Sequence, residues 1–430
     1  MPAVAQLLVF LIAGGVVLGL VAWLFPAARR GPGWAVSALR RAWWVLKITS
    51  TWKGTCRDSG LSKKVTKSKA RGTDTLTVEG WKHPKIRRLS VSGHAVTIRI
   101  KARRGQTIAE LEAGAERLAA AYGVQTFRCW PLPKRPASVL VVEFVMRELL
   151  AKPRTATLPE VPRAIFDAVP VGTTQAGREW LLKVRGWHTL VVGASGSGKG
   201  SILWNICCGL APAVKAEHVQ LWGIDLKKGL ELSIGDPLFH ARAYEPEAAI
   251  EVLKNLIAVI DERGAQMIGN TRLHVPTAGD PLHVLVIDEL AAVTAYAERD
   301  VKNEANRLLS LILTQGRALG VVVVAFVQDP RKEVINARGL FTQTIALRLR
   351  TREETSMVLG DGMAKLAPAH RINPSCPGTA WVVEDSGAVD RARATYWPDE
   401  AIREAARLWG SRDHSDTTVL EPITEEGEAA

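Results

Sequence analysis

The stretch that leaves this chain the least freedom is "HTLVVGASGSGKGS", residues 188–201. A short apolar strand runs straight into a glycine-rich turn, and "SILWNICCGL" behind it has the composition of a helix. Strand, glycine loop and helix in that order form a phosphate cradle. The backbone N–H groups of the loop and of the helix start converge there, and a lysine reaches the β- and γ-phosphates. The pattern G-x-x-x-x-G-K-[ST] is met by Gly193, Gly198 and Lys199. The next position departs from it. Gly200 stands where a hydroxyl for Mg²⁺ is usual, and the hydroxyl arrives one place later, at Ser201. The candidate ATP-binding set is therefore Gly193, Ala194, Ser195, Gly196, Ser197, Gly198, Lys199, Gly200 and Ser201.

A second stretch strengthens the reading. "HVLVIDEL" (283–290) is an apolar strand that ends in Asp288-Glu289. A carboxylate at such a strand end suits the Mg²⁺ shell, and its neighbour can polarise the attacking water. Further apolar runs, "VQLWGID" (219–225), "VVVVAFVQ" (321–328), "TIALRLR" (344–350) and "TAWVVE" (379–384), are mostly separated by helical stretches. Such runs predict an α/β fold with a mainly parallel sheet covered on both faces. Ligand chemistry then collects at the strand C-termini, where Gly193, Asp225, Asp288 and Gln328 fall. Gln328 is a candidate γ-phosphate sensor, with a polar strand-end cap as the rival role.

The amino terminus has a different physics. Ala3 to Phe25 carries no charge, and at about 1.5 Å per residue it is long enough to cross a bilayer core. Arg29, Arg30, Arg40 and Arg41 follow it, so the positive-inside rule places the remainder in the cytoplasm. Trp34 to Ile48 sets tryptophans beside arginines, as expected of a helix lying on the membrane surface; a second span of a hairpin is the alternative. Lys53 to Arg71 is polar and Lys-rich and reads as a solvated linker attracted to anionic lipid. Of the chain's net +13, the segment 29–104 holds 20 Lys and Arg against three acids, so the rest is mildly acidic. The five cysteines are odd in number and form no C-x-x-C, which implies neither a disulfide framework nor a zinc site and suits a reducing compartment.

From about Thr75 to Met146 a small α+β module is expected. Val96, Ile98 and Ile100 alternate with polar residues as in a half-buried strand. Ile108, Leu111, Ala115, Leu118, Ala119 and Tyr122 recur at helical spacing, with Gly123 as the cap. Val124–Phe127 and Val139–Val145 read as two more strands. The expected division is a transmembrane anchor (1–27), a basic juxtamembrane segment and linker (28–74), the small domain (75–150), a Pro- and Thr-bearing linker (151–164), the motor (165–400) and an acidic tail (401–430).

"VVGASGSGKGS", "GIDLKKGLEL", "LVIDELAAVTAY", "QGRALGVVVVAFVQDP" and "QTIALRLRTREETSMVLGDGM" occur in that order. Over about 165–400 the chain resembles the FtsK/SpoIIIE family of DNA translocases. The "GKGS" variant and the small domain after the anchor are similar to the Tra-type translocases of actinobacterial conjugative plasmids and integrative elements. The resemblance implies a RecA-like, Mg²⁺–ATP-driven motor at the cell membrane, a homo-hexameric ring that pumps double-stranded DNA. It implies an active site in which Ser201, Asp288 and water share the metal shell. Arg317, in "QGRALG", matches a family motif and is a candidate arginine finger, with Arg348 and Arg350 as alternatives. Arg331, Lys332 and Arg338 are candidate pore residues for DNA phosphates. Too few residues follow Pro398 for the winged helix that reads DNA repeats in relatives, so sequence-directed loading is not expected. The rival classes are a chromosome-partition motor, a type VII secretion-like protein exporter and a non-hydrolysing nucleotide-binding scaffold.

Overall fold

The structure is a computed structural model that describes residues 33–71, 74–92, 94–124, 126–132, 138–146, 148–158, 163–330, 338–384, 389–410 and 418–419. The chain forms two compact units, Met1–Glu148 and Leu149–Ala430. The expected anchor at Ala3–Phe25 lies outside the described residues. No described helix is long and apolar enough to cross a membrane.

The first described element of the first unit is helix α1 (Gly33–Asp58). A hairpin of β1 (Lys63–Arg71) and β2 (Asp74–Lys82) follows. The remaining strands, β3 (Lys85–Val91), β4 (Ala95–Lys101), β5 (Thr126–Pro131) and β6 (Val139–Val145), form an antiparallel sheet in the order β3-β4-β6-β5. On β4, Val96, Ile98 and Ile100 are fully buried, and Thr97, Arg99 and Lys101 face outward between them. Helix α2 (Ile108–Ala121) starts at Thr107, whose side chain accepts the Glu110 N–H, and buries Leu111, Ala115, Leu118 and Ala119.

Helix α1 corrects two expectations. It does not stop at Ile48, and the solvated linker predicted from Lys53 is in large part ordered structure. Trp44, Ile48, Trp52 and Cys56, spaced by four residues, form a stripe buried in the same core as α2 and β4. The Trp52 indole N–H donates to the Pro84 carbonyl at 2.8 Å. Lys63 to Arg71 then pairs along its whole length with β2, from Lys63↔Lys82 to Arg71↔Asp74. The hairpin escaped the periodicity argument because its first strand, "KKVTKSKAR", is almost wholly polar; the strands pair through main-chain bonds, and Lys64 and Glu79 pair across them at 2.6 Å. The opposite side of α1 leaves Leu39, Trp43 and Leu46 more than half exposed.

The second unit is built on an eleven-stranded sheet. Its parallel block runs β11 (Phe239–Ala243), β10 (Val219–Ile224), β12 (Leu282–Ile287), β13 (Val321–Val327), β9 (Thr189–Val192) and β14 (Gln343–Ala346), and Thr418–Val419 adds to the β11 edge. Beyond β14 the direction changes. Strands β15 (Thr379–Glu384), β16 (Val389–Ala394), β7 (Ala168–Thr174) and β8 (Glu179–Lys183) are each antiparallel to their neighbours. The sheet is thus mainly parallel, as expected, but mixed: parallel from the β11 edge to β14 and antiparallel beyond it. An apolar run such as "TAWVVE" reports burial on both faces and says nothing of direction.

Alternation along the strands separates two cores. On β9, Leu190 and Val192 pack with helices α4 (Pro246–Met267) and α6 (Arg299–Gln315), which flank the short α5 (Leu290–Thr294). Val191, between them, faces α3 (Lys199–Lys215) and the helix Asp399–Trp409. Each fully buried Val or Leu contributes about 1.5–3 kcal/mol, so both faces hold the central strands rigidly. That rigidity fixes the strand ends on which the site is mounted.

Candidate active site

Val192 ends β9, and the chain turns through Gly193–Gly198 into α3 at Lys199. The turn is pinned at several points. The Ala194 N–H donates to the Arg348 carbonyl at 2.9 Å, and Arg348 Nη2 donates to the Ser195 carbonyl at 3.0 Å. The Gly378 N–H donates to the Ser197 carbonyl at 2.8 Å. Gly198 is left-handed (φ +96°), and a Cβ there would overlap the Gly378 backbone, so only glycine fits. The Ser197 hydroxyl is buried with no hydrogen-bond partner, an unspent donor inside the cradle.

Lys199 curls back on its own loop, its Nζ donating to the Gly193 carbonyl at 2.8 Å. Burial brings this ammonium down to about 8, with Lys227 acting in the same direction and Glu289, Asp288 and Glu231 opposing. A charged phosphate oxygen is a better acceptor than a carbonyl, so Nζ is placed where it would exchange Gly193 for a bound triphosphate.

Strand β12 ends at Ile287 and presents Asp288 and Glu289, both buried, at the same edge. Lys227 Nζ lies 2.8 Å from Asp288 Oδ2 and 3.6 Å from Glu289 Oε2. Burial works against the Lys227 charge, yet the hydrogen bond to Asp288 and the charges of Asp288, Glu289 and Asp225 raise its pKa overall. The Glu289 carboxyl is shifted upward by burial, against the pull of Lys227, the Gln328 N–H and Lys199. Glu289 Oε1 accepts that N–H at 3.3 Å.

Asp225, fully buried at the end of β10, shapes the neighbouring loop. Its carboxylate accepts the backbone N–H groups of Lys227 at 3.1 Å, Glu231 at 2.9 Å and Leu232 at 3.2 Å. This loop delivers Lys227 and Glu231 to the site.

The donor set fits Mg²⁺–ATP: an ammonium already stands as a cation against Asp288, beside a loop aimed at phosphate. Bound there, Mg²⁺ would neutralise charge on the β- and γ-phosphates. Among the described residues no group of three or more His, Cys, Asp or Glu forms a metal cage.

The structure thus gathers the loop 193–201, Asp288, Glu289 and the backbone of Gln328, whose side chain is exposed. Arg317 is not among them. Its Nε donates to the Gly186 carbonyl at 2.8 Å and its guanidinium lies over Trp187, at the N-terminal end of β9 and so at the opposite edge of the sheet. Arg338 opens a short 3₁₀ turn, and Arg331 and Lys332 lie outside the described residues. Sequence reasoning passed over Lys227, Glu231 and Gly378. The first two sit in "GIDLKKGLEL", where an acid at 225 and another at 231 flank lysines, a signal of charge convergence. Gly378 carried no local signal, since its reason is a contact with Gly198.

The model of the FtsK/SpoIIIE family matches residues 161–376, and that of the actinomycete conjugal transfer protein N-terminal domain matches 24–136. Transfer protein TraSA of Streptomyces ambofaciens is 27% identical over 359 residues, covering 78% of this chain and 83% of its own. DNA translocase FtsK of Bradyrhizobium diazoefficiens is 23% identical over 330 residues, and there the match covers 65% of this chain but 38% of the relative. Among solved structures, the pCW3 conjugation coupling protein TcpA, a monomer with ATPγS, shares the fold at TM-score 0.52 and 19% identity, over 76% of this chain and 94% of that one. With its phosphate loop, acid pair and motor arranged in this way, the chain belongs to the FtsK/SpoIIIE family and is a P-loop ATPase that uses ATP with Mg²⁺.

Proposed function

We propose that this chain is a membrane-anchored, ATP-driven pump for double-stranded DNA in conjugal transfer, acting as a homo-hexameric ring with its motor in the cytoplasm. The observation that carries this reading is the pairing, in one chain, of an FtsK/SpoIIIE motor with the N-terminal domain of actinomycete conjugal transfer proteins. Arg317 reaches no part of this chain's own ATP site, so as a finger it would serve a neighbouring subunit. Basic pore residues, Arg338 with Arg331 and Lys332, would hold phosphates loosely enough to release them at each step.

Contacts of that kind depend steeply on salt and little on sequence. Duplex DNA is therefore expected to stimulate ATP hydrolysis in low salt, equally for random and repeat-bearing duplexes, with the stimulation lost as salt rises. Changing the three basic residues to alanine should remove the stimulation and leave nucleotide binding unchanged. Stimulation by a secreted peptide and not by duplex DNA would move the chain to the protein-export class.

The membrane part rests on the uncharged stretch Ala3–Phe25 and on α1, whose exposed Leu39, Trp43 and Leu46 suit an interface. Deleting residues 1–30 is expected to shift the protein from the membrane to the soluble fraction with its ATPase intact. The ATP-site residues all lie at 193 or beyond, so loss of nucleotide binding in the truncated protein would refute that separation.

A further inference from the structure

Position 200 is where the phosphate-loop pattern places a hydroxyl for Mg²⁺, and here it has no side chain. The space beside it is filled from elsewhere. A Cβ built on Gly200 would stand 2.7 Å from Glu231 Oε1, so a serine hydroxyl and this carboxylate oxygen would compete for one place. Glu231 is held there from both ends. Its backbone N–H is fixed by Asp225 at 2.9 Å, and its Oε1 accepts the Trp204 indole N–H at 3.0 Å. Trp204 lies four residues beyond Gly200 on α3, one turn along the same face. Glycine makes the room, tryptophan clamps the carboxylate, and the buried aspartate sets the loop that brings it.

The electrostatics agree with this placement. Burial raises the Glu231 carboxyl above its ordinary range, and the charge of Asp288 raises it further, which puts the two carboxylates at one site. Lys199 in turn feels the Glu231 charge. Ser201, the other oxygen proposed for the shell, is one residue further along α3 and so about 100° around the helix from position 200.

We propose that the Glu231 carboxylate supplies the Mg²⁺-directed oxygen that position 200 lacks, so that Gly200, Trp204 and Glu231 together replace the usual hydroxyl. The proposal rests on the ATPase reading and goes beyond it in naming the residue that completes the metal shell.

The test is equilibrium binding of a fluorescent ATP analogue to the full chain, with Mg²⁺ and with a chelator in its place. The wild type should bind more tightly with Mg²⁺. Glu231→Ala should lose that Mg²⁺-dependent gain by at least about 10–100-fold, the loss already caused by removing a group that only supports a metal's ligands, and keep its affinity in chelator. Glu231→Gln retains an acceptor for the Trp204 N–H and guards against a folding defect; it should lose the gain as well. Gly200→Ser alone, crowded by Glu231, should bring no improvement. The decisive variant is Gly200→Ser combined with Glu231→Ala, which should recover the Mg²⁺ dependence, because a purely structural glutamate would not be rescued by a hydroxyl at position 200. Full Mg²⁺ dependence in both Glu231 variants, or its loss in Ser201→Ala, would overturn the proposal. Wild-type protein that bound no nucleotide with or without Mg²⁺ would refute the ATPase reading instead.

Discussion

Replacement of Glu289 by glutamine is expected to lower ATP turnover by about 10²–10⁴-fold, the usual worth of a positioned general base, and to leave nucleotide binding near the wild-type level. Glutamine is of nearly equal size, and its carbonyl oxygen can accept the Gln328 N–H that Glu289 Oε1 now holds at 3.3 Å. What it cannot do is take a proton from the attacking water. Burial raises this carboxyl's pKa and makes it a stronger base than an exposed one, against the opposing charges of Lys227, 3.6 Å from Oε2, and Lys199. Asp288 differs in its contacts: its Oδ2 is engaged by Lys227 at 2.8 Å, the closer of the two ion pairs. Retention of bound ATP on the Glu289→Gln variant, measured alongside single-turnover hydrolysis, separates chemistry from binding. Hydrolysis at the wild-type rate would remove Glu289 from the role of base.

Much of this site was legible because its residues are contiguous. The loop 193–201 and the pair Asp288–Glu289 each lie within one strand-to-turn segment, and a parallel sheet must bring such strand ends to one edge. The antiparallel part was illegible for a physical reason: Thr379 to Val382 of β15 are buried like the parallel strands, and direction leaves no mark on composition. Helix α1 was misread because its stripe Trp44, Ile48, Trp52 and Cys56 passes through "KITSTWKGTC", whose polar majority reads as linker. Glu231 was missed for a different reason. The signal at Gly200 was an absence, and what fills an absence is visible only when a residue 31 positions away arrives beside it. Arg317 came from a motif alone, and a motif does not say which edge of the sheet it occupies: its Gly186 and Trp187 contacts put it at the edge away from this chain's own ATP site.

Replacement of Lys199 by alanine is expected to reduce turnover by about 10²–10³-fold or more, the cost of removing one preorganised donor from a developing charge, and to weaken nucleotide binding as well. No other lysine lies in the loop, and Lys227 is engaged with Asp288. The same side chain predicts a pH dependence whose sign follows from its burial. The form that binds phosphate is the ammonium, and in the free protein burial has lowered its pKa to about 8. Below that pH the ammonium is present before the nucleotide arrives, and affinity is flat. Above it the free protein must take up a proton on binding, so affinity should fall by about tenfold per pH unit until the pKa of the complex is reached. The triphosphate and its metal do not titrate there, so the slope belongs to the protein. Lys199→Ala should bind weakly with no such slope, and Lys199→Arg, charged throughout, should also be flat. Isothermal titration in buffers of different ionisation heat reads the proton directly: about one taken up per nucleotide well above pH 8 in the wild type, and none in either variant. An equal slope in wild type and Lys199→Ala would assign the proton to another group and leave Lys199 without its phosphate.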